Sequence, residues 1–247
     1  MGKVPLVRKA LNKTFGIGLQ ALNVNSGLGK RHTNKGYSFK YGDRLVELPF
    51  LFSNILDPPK KILDIGSVES IHPIQLSMLG YKVTGIDIRN YNFSHPNFKF
   101  IKNDLLKYNF NEKFDIAINI SAIEHFGLGY GDSKNERKDI EAVNKIYEIL
   151  NKNGQFIFTA PYGKHKTIVD FERIYAWNDI LSLLDNKFSV RTIKFFKLVA
   201  GKKIFQIKKE EADEIDHDEK NSTYALVCLD LRKNNKILPY RTKLNQK

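Results

Sequence analysis

The sequence predicts an α/β fold, a parallel sheet with helices on both faces, and three observations carry that prediction. Short apolar runs of strand length alternate with amphipathic runs of helix length from residue 61 to residue 184. The first run, Lys61-Ile62-Leu63-Asp64-Ile65, breaks into a turn at Gly66-Ser67. The second, Val83-Thr84-Gly85-Ile86-Asp87, closes on a carboxylate 23 residues after Asp64. A strand that opens into a glycine turn, followed by a strand that ends on an acid, is the layout of a nucleoside-binding site.

The elements follow in order. Val4, Val7, Leu11, Phe15, Leu19 and Leu22 recur at helical spacing beside Arg8, Lys9 and Lys13, giving an amphipathic helix with a basic face. Residues 23–42, rich in Asn, Ser, Gly and Lys, read as a connection. Residues 45–55 form an apolar helix packed on the domain. Strands are expected at 62–65, 82–88, 97–102, 114–120 and 155–160, the fourth of them apolar on both faces. Helices are expected at 73–79, where Pro73 fits a first turn, at 139–150, with Asn153-Gly154 as its stop, and at 174–184. Strands at 188–196 and 224–232 close the sheet, and the charged run 208–220 between them is a surface excursion. The chain thus divides into a basic N-terminal extension (1–44), one domain (45–233) and a basic C-terminal tail (234–247).

The net charge of +13 sits at the ends. Residues 1–46 carry nine Lys or Arg, Arg44 among them, against Asp43, and residues 231–247 carry six with no acid, so the interior is close to neutral. Basic ends suit an anionic membrane surface, RNA phosphates or an acidic glycan carrier. No uninterrupted apolar run reaches 18 residues, which excludes a helical membrane span. The single cysteine, Cys228, excludes a disulfide or cysteine-metal cluster within one chain and suits a reducing cytoplasm. The N-terminal residues lack the apolar core and cleavage site of a secretory signal. The expected location is cytoplasmic, peripheral at the inner membrane face.

Ligands of open α/β sheets lie beyond the carboxyl ends of the strands. Asp64, Gly66 and Ser67 fall there after the first strand, Asp87 and Ile88 after the second, Asn103, Asp104 and Leu105 after the third, and Asn119 and Ser121 after the fourth. Gly66 permits close approach, Asp64 orients the turn, Asp87 takes ribose hydroxyls and Asp104 accepts the adenine amino proton. Val68 and Ser70 stand where a dinucleotide fingerprint has its later glycines, so a pyrophosphate fits poorly against the turn. S-adenosylmethionine (SAM) brings ribose and adenine without phosphate and fits better than NAD.

With these residues in this order, the chain resembles the class I SAM-dependent methyltransferases over about residues 45–233. The resemblance implies a Rossmann-like sheet of seven strands, the last antiparallel to the others. Beyond the fourth strand, Glu124-His125, Gly127-Leu128-Gly129 and Tyr130-Gly131-Asp132, with Ala160-Pro161-Tyr162-Gly163-Lys164 and the later Arg173-Ile174-Tyr175, are similar to a methyltransferase family linked to cell-surface polysaccharide and lipid-linked glycan biosynthesis. That likeness implies a sugar hydroxyl as acceptor. It makes His125 the candidate base, Glu124 and Asp132 further catalytic candidates, and Tyr130, Arg173 and Tyr175 acceptor contacts. A histidine near neutral pKa suits the removal of a hydroxyl proton. Glu124, His125 and Asp132 match no metal-ligand spacing, so no metal is expected. Two other readings stand beside this one. An RNA methyltransferase has the charge in its favour, but no Asn-Pro-Pro-Tyr-like motif follows the fourth strand. A catalytically silent scaffold would have no need of both Asp87 and Asp104.

Overall fold

The computed structural model describes residues 42–68, 70–129, 134–135, 137–168, 170–199, 203–217 and 223–234. The basic helix expected at 4–22, and nearly all of the basic extension and tail, lie outside the described residues. The alternation of strands and helices is as the sequence predicts. Helix α1 (Arg44–Asn54) leads into β1 (Lys61–Ile65), α2 (His72–Met78), β2 (Lys82–Asp87), β3 (Phe98–Lys102) and β4 (Phe114–Ile120). After a short 3-10 turn (Ile123–His125) come α3 (Lys138–Ile149), β5 (Leu150–Tyr162), a small hairpin of β6 (Lys166–Ile168) and β7 (Glu172–Ile174), and α4 (Trp177–Leu184). The chain continues through β8 (Phe188–Val199), β9 (Lys203–Ile207), α5 (Lys209–Asp213) and β10 (Thr223–Lys233).

The main sheet has the order β3-β2-β1-β4-β5-β10-β8-β9. Strands β1 to β5 are parallel, and β10 runs antiparallel to both β5 and β8. The sheet has eight strands where seven were expected. Residues 203–207 add an antiparallel edge to β8, from Phe195 paired with Ile207 to Val199 paired with Lys203. Their half-exposed, lysine-flanked pattern lacked the apolar run that marks an inner strand.

Alternation along each strand feeds two cores, one per sheet face. Ile62 of β1, Ile116, Ile118 and Ile120 of β4, Ile157 of β5 and Cys228 of β10 pack with Phe50 and Leu51 of α1 and Leu76 of α2. On the other face Leu63, Ile65, Ala117, Phe156, Phe158, Val227 and Leu229 pack with Ala142, Val143 and Ile146 of α3 and Ile180, Leu183 and Leu184 of α4. Burial on both faces explains why β4 reads as a continuous apolar run.

The larger departures from the sequence reading have local causes. Helix α3 ends at Ile149, ahead of the Asn153-Gly154 stop, because buried Leu150 turns extended and pairs with Phe114. Asn153, at φ 60, is instead a left-handed residue within β5. The helix expected from residue 174 begins at Trp177, where Asp179 Oδ2 accepts the Ala176 N–H at 2.8 Å, and Glu172–Ile174 pairs as a strand with Lys166–Ile168. The charged run after residue 208 is not wholly a surface excursion, since Ala212 is buried and Asp213 accepts the buried Tyr162 hydroxyl.

Candidate functional site

The strand order reverses between β1 and β4, and the carboxyl ends of the parallel strands open there into a cavity of about 830 Å³, its mouth included. Gly66 forms part of the wall at φ +71, and a Cβ on it would stand 2.4 Å from the Ala122 Cβ. Glycine is therefore required both by the backbone angle and by the approach of the chain beyond β4.

Asp87 lines the cavity at the end of β2 and is 7% exposed. Its Oδ2 accepts the Val68 N–H at 3.1 Å and Arg89 Nη2 at 3.2 Å. Its Oδ1 accepts the Arg89 N–H at 2.9 Å and Arg89 Nε at 3.2 Å. All of the roughly four acceptor positions of the carboxylate are thus filled. The Val68 N–H is spent on Asp87, so the turn does not aim that donor at a phosphate. Ser70, the other replaced glycine, bonds His72 Nδ1 through its hydroxyl and accepts Tyr91 Oη on its carbonyl at 2.8 Å.

Asp104 lines the cavity after β3; its Oδ1 accepts the Leu106 N–H at 2.9 Å, and Lys138 Nζ lies 3.9 Å from Asp104 Oδ2. Ile88, Leu105, Ser121, His125 and Phe126 complete the wall relevant to chemistry. Ser121 takes φ 44, a sparsely used angle for a residue with a side chain, and its hydroxyl donates to Glu47 Oε1.

His125 Nδ1 lies 2.6 Å from the Phe171 carbonyl oxygen. A carbonyl only accepts, so in the neutral ring Nδ1 carries the proton and the basic lone pair resides on Nε2. The turn that carries His125 is fastened from several sides. Asn119 Oδ1 accepts the Ile123 N–H at 2.9 Å, and Arg173 Nη1 donates to the carbonyls of Glu124 (3.2 Å) and Phe126 (2.6 Å). Gly127 comes next at φ +77, where a Cβ would meet the Asn135 carbonyl oxygen at 1.9 Å.

Several expected site residues are placed differently. Asp64, Ser67 and Asn119 stand behind the wall: Asp64 Oδ1 bonds His72 Nε2 at 2.8 Å, Ser67 Oγ donates to the Asp64 carbonyl, and Asn119 Nδ2 donates to the Thr159 carbonyl. Arg173 and Tyr175, expected to touch an acceptor, are 7% and 3% exposed and do not line the cavity. Arg173 Nε lies 3.6 Å from Asp139 Oδ2, which also accepts the Tyr175 hydroxyl at 3.1 Å. Burial explains the difference, because a guanidinium and a phenol enclosed by protein must find internal partners: Arg173 binds the turn to α3, and Tyr175 is bonded to the same Asp139 of α3. Tyr130 and Asp132 lie outside the described residues. Asn103, a candidate from its place after β3, lines the cavity, and so do Arg44, Val68, Arg89, Ala122 and Lys138, which the sequence did not assign to it. Among the described residues, no three His, Cys, Asp or Glu side chains are grouped to hold a metal ion.

Glu124 also stands behind the wall, 1% exposed, with neither carboxyl oxygen hydrogen-bonded among the described residues. Burial drives its pKa well above the usual carboxylate range, and the nearby Glu172 and Glu47 carboxylates reinforce the shift. The folded state therefore holds a proton that the unfolded chain releases, so stability is lost as pH rises above the unfolded pKa toward the folded one. Glu124→Gln, neutral at every pH, should gain on the wild type by up to about 1.4 kcal/mol per pH unit across that window. Urea denaturation at intervals from pH 5 to 8 measures the difference, and a constant difference would show that Glu124 is ionised in the fold.

Comparison with solved structures agrees with this architecture. The chain is similar to the 1,6-didemethyltoxoflavin-N1-methyltransferase of Burkholderia thailandensis, solved with 1,6-didemethyltoxoflavin and S-adenosylhomocysteine, at TM-score 0.52 and 12% identity over 95% of this chain and 92% of that one. It is similar to a SAM-dependent methyltransferase of Methanosarcina mazei at TM-score 0.53 and 13% identity, over 75% and 97% of the two chains. TehB of Haemophilus influenzae matches at TM-score 0.52 and 14% identity, over 85% and 67%. At these identities the likeness establishes the methyltransferase-type Rossmann fold. No curated protein matches the sequence. Residues 92–233 match the model of a family described as "Caenorhabditis protein of unknown function, DUF268".

Proposed function

Because the chain belongs to the DUF268 family, whose description carries no activity, we propose from the site itself that it is a SAM-dependent methyltransferase. The observation that carries this reading is the meeting, at the switch point of the sheet, of a cavity wall that only glycine fits at position 66 with the carboxylate of Asp87. Gly66 supplies a cradle without a side chain, Asp87 a pair of acceptors suited to ribose hydroxyls, and Asp104 an acceptor at the adenine end. The fold neighbours that are methyltransferases support the same reading. When bound, SAM supplies an electrophilic methyl group on a sulfonium.

The chain's own residues provide the rest. His125, whose Nε2 lies 3.8 Å from the buried Glu124 Oε1, is the group that takes a hydroxyl proton on Nε2 while the acceptor oxygen acquires the methyl group, and the Phe171 carbonyl stabilises the imidazolium through Nδ1. Arg173 and Asn119 hold the turn in place, and Phe126 excludes water from that wall. The acceptor class we favour is a saccharide hydroxyl on a glycan or lipid-linked precursor. Its support is the sequence likeness around Glu124-His125 and Arg173-Ile174-Tyr175, and a cytoplasmic site of action beside an anionic membrane agrees with the basic ends. Among the described residues, no helix is long and apolar enough to cross a membrane.

Calorimetric titration tests the cofactor directly. S-adenosylhomocysteine should bind and NADH should not; saturation by NADH alone would replace the methyltransferase reading with an oxidoreductase one. Methyl transfer from labelled SAM to RNA in preference to any saccharide would move the acceptor class and leave the rest standing.

A further inference from the structure

Among the described residues three cations line the cavity, and Arg44 differs from the other two. Arg89 is paired with Asp87 and Lys138 lies near Asp104, both of them acids of the same wall. The partner of Arg44 is Glu47, which is fully buried and stands outside the wall. Among the described residues one guanidinium N–H, on Nη1, is taken by Glu47 Oε2. A guanidinium has five such donors, and 40% of this side chain is exposed.

Glu47 fixes where those donors stand. Its Oε1 accepts the Ser121 hydroxyl and the Thr159 hydroxyl, the latter at 2.6 Å, so the first turn of α1 is tied to the carboxyl ends of β4 and β5. Burial raises the Glu124 pKa well above the usual carboxylate range, whereas the Asp43 carboxyl, which accepts the Tyr224 hydroxyl and is pushed up to about 6, chiefly by burial, is still mostly ionised at neutral pH and offsets part of the Arg44 charge. A planar guanidinium held by a buried carboxylate is preorganised for an oxyanion, with little side-chain entropy left to lose.

We propose that Arg44, oriented by Glu47, is the oxyanion-binding residue of this cavity, and that it holds a carboxylate or phosphate beside Ser121, on the β4–β5 side away from Asp87 and Asp104. This rests on the methyltransferase reading, under which the oxyanion has two sources: the amino-acid carboxylate of the cofactor, or an acidic group on the acceptor.

Wild type and the double variant Arg44→Met/Glu47→Gln, which leaves no buried carboxylate stranded, separate the sources by calorimetry. The ligands are S-adenosylhomocysteine, 5′-methylthioadenosine, which lacks the amino-acid end, and inorganic phosphate added to the S-adenosylhomocysteine-saturated protein. If the source is the cofactor, the variant loses about 10- to 100-fold in affinity for S-adenosylhomocysteine and keeps its affinity for methylthioadenosine, which also shows that it is folded. If the source is the acceptor, both nucleosides bind unchanged, and phosphate binds the saturated wild type but not the saturated variant. A variant identical to wild type towards all three ligands overturns the assignment. Wild type that binds neither nucleoside defeats the methyltransferase reading itself, and phosphate alone then decides Arg44: binding lost in the variant upholds an oxyanion site, and any other result removes it.

Discussion

Asp87→Ala is expected to raise the Kd of S-adenosylhomocysteine by about 100-fold, or ~3 kcal/mol. Two hydroxyls donating to a carboxylate are worth about 1.5–3 kcal/mol each, because hydrogen bonds to a charged group are the strong ones. The gain is reduced by what must first be given up, the Arg89 fork on the same carboxylate. Arg89 is 40% exposed but the Asp87 side chain only 3%, so opening the pair returns part of the gain without cancelling it. The substitution also frees the Val68 N–H, so part of the loss is the loosening of the turn beside Gly66. Calorimetry on wild type and variant measures the change, and an affinity within twofold of wild type would take Asp87 out of the binding site.

His125→Ala should behave in the opposite manner, leaving the Kd of S-adenosylhomocysteine within about twofold while turnover falls by about 10²- to 10⁴-fold, the range for removing a positioned base. The histidine lines the cavity, and its Nδ1 is already committed to the Phe171 carbonyl. The same bond ties the turn after β4 to the chain just before β7, so the variant should also melt at a lower temperature. Turnover is read as S-adenosylhomocysteine formed with a saccharide acceptor. Full turnover in a variant that melts lower would make the histidine a fastener of the turn and nothing more.

The elements that carry the cavity were legible because their signals are local. An apolar run that breaks at Ile65-Gly66 declares a strand and its turn, and a second that stops at Asp87 declares a strand and its terminal acid. Adjacent and parallel, the two strands then bring Gly66 and Asp87 to one wall. Arg44 was not legible in this way. On charge alone it belonged with the other basic residues of the first 46, and only its place at the start of α1 turns it toward the cavity. A signal was available three residues later, where Glu47 interrupts the apolar stripe of Val46, Phe50 and Leu51. An acid at a buried helix position must have partners, and its partners are Arg44, Ser121 and Thr159. Arg173 and Tyr175 illustrate the reverse case. Their residue types suit acceptor recognition, but the hairpin that carries Glu172–Ile174 turns them inward onto Asp139, and no local pattern announces that hairpin.

If the cavity seats a nucleoside as proposed, the fork of Arg89 on Asp87 gives that seat a rule of admission. With each oxygen of the carboxylate already holding two donors, entry is an exchange in which a newcomer must replace a matched pair of N–H groups. On the proposed reading, a vicinal diol can do so because its two hydroxyls meet both oxygens at once. A deoxyribose, with one hydroxyl, releases half of the fork and leaves the guanidinium partly in place. Discrimination between ribose and deoxyribose at this site then comes from the arginine that must leave, as well as from the aspartate that receives the sugar.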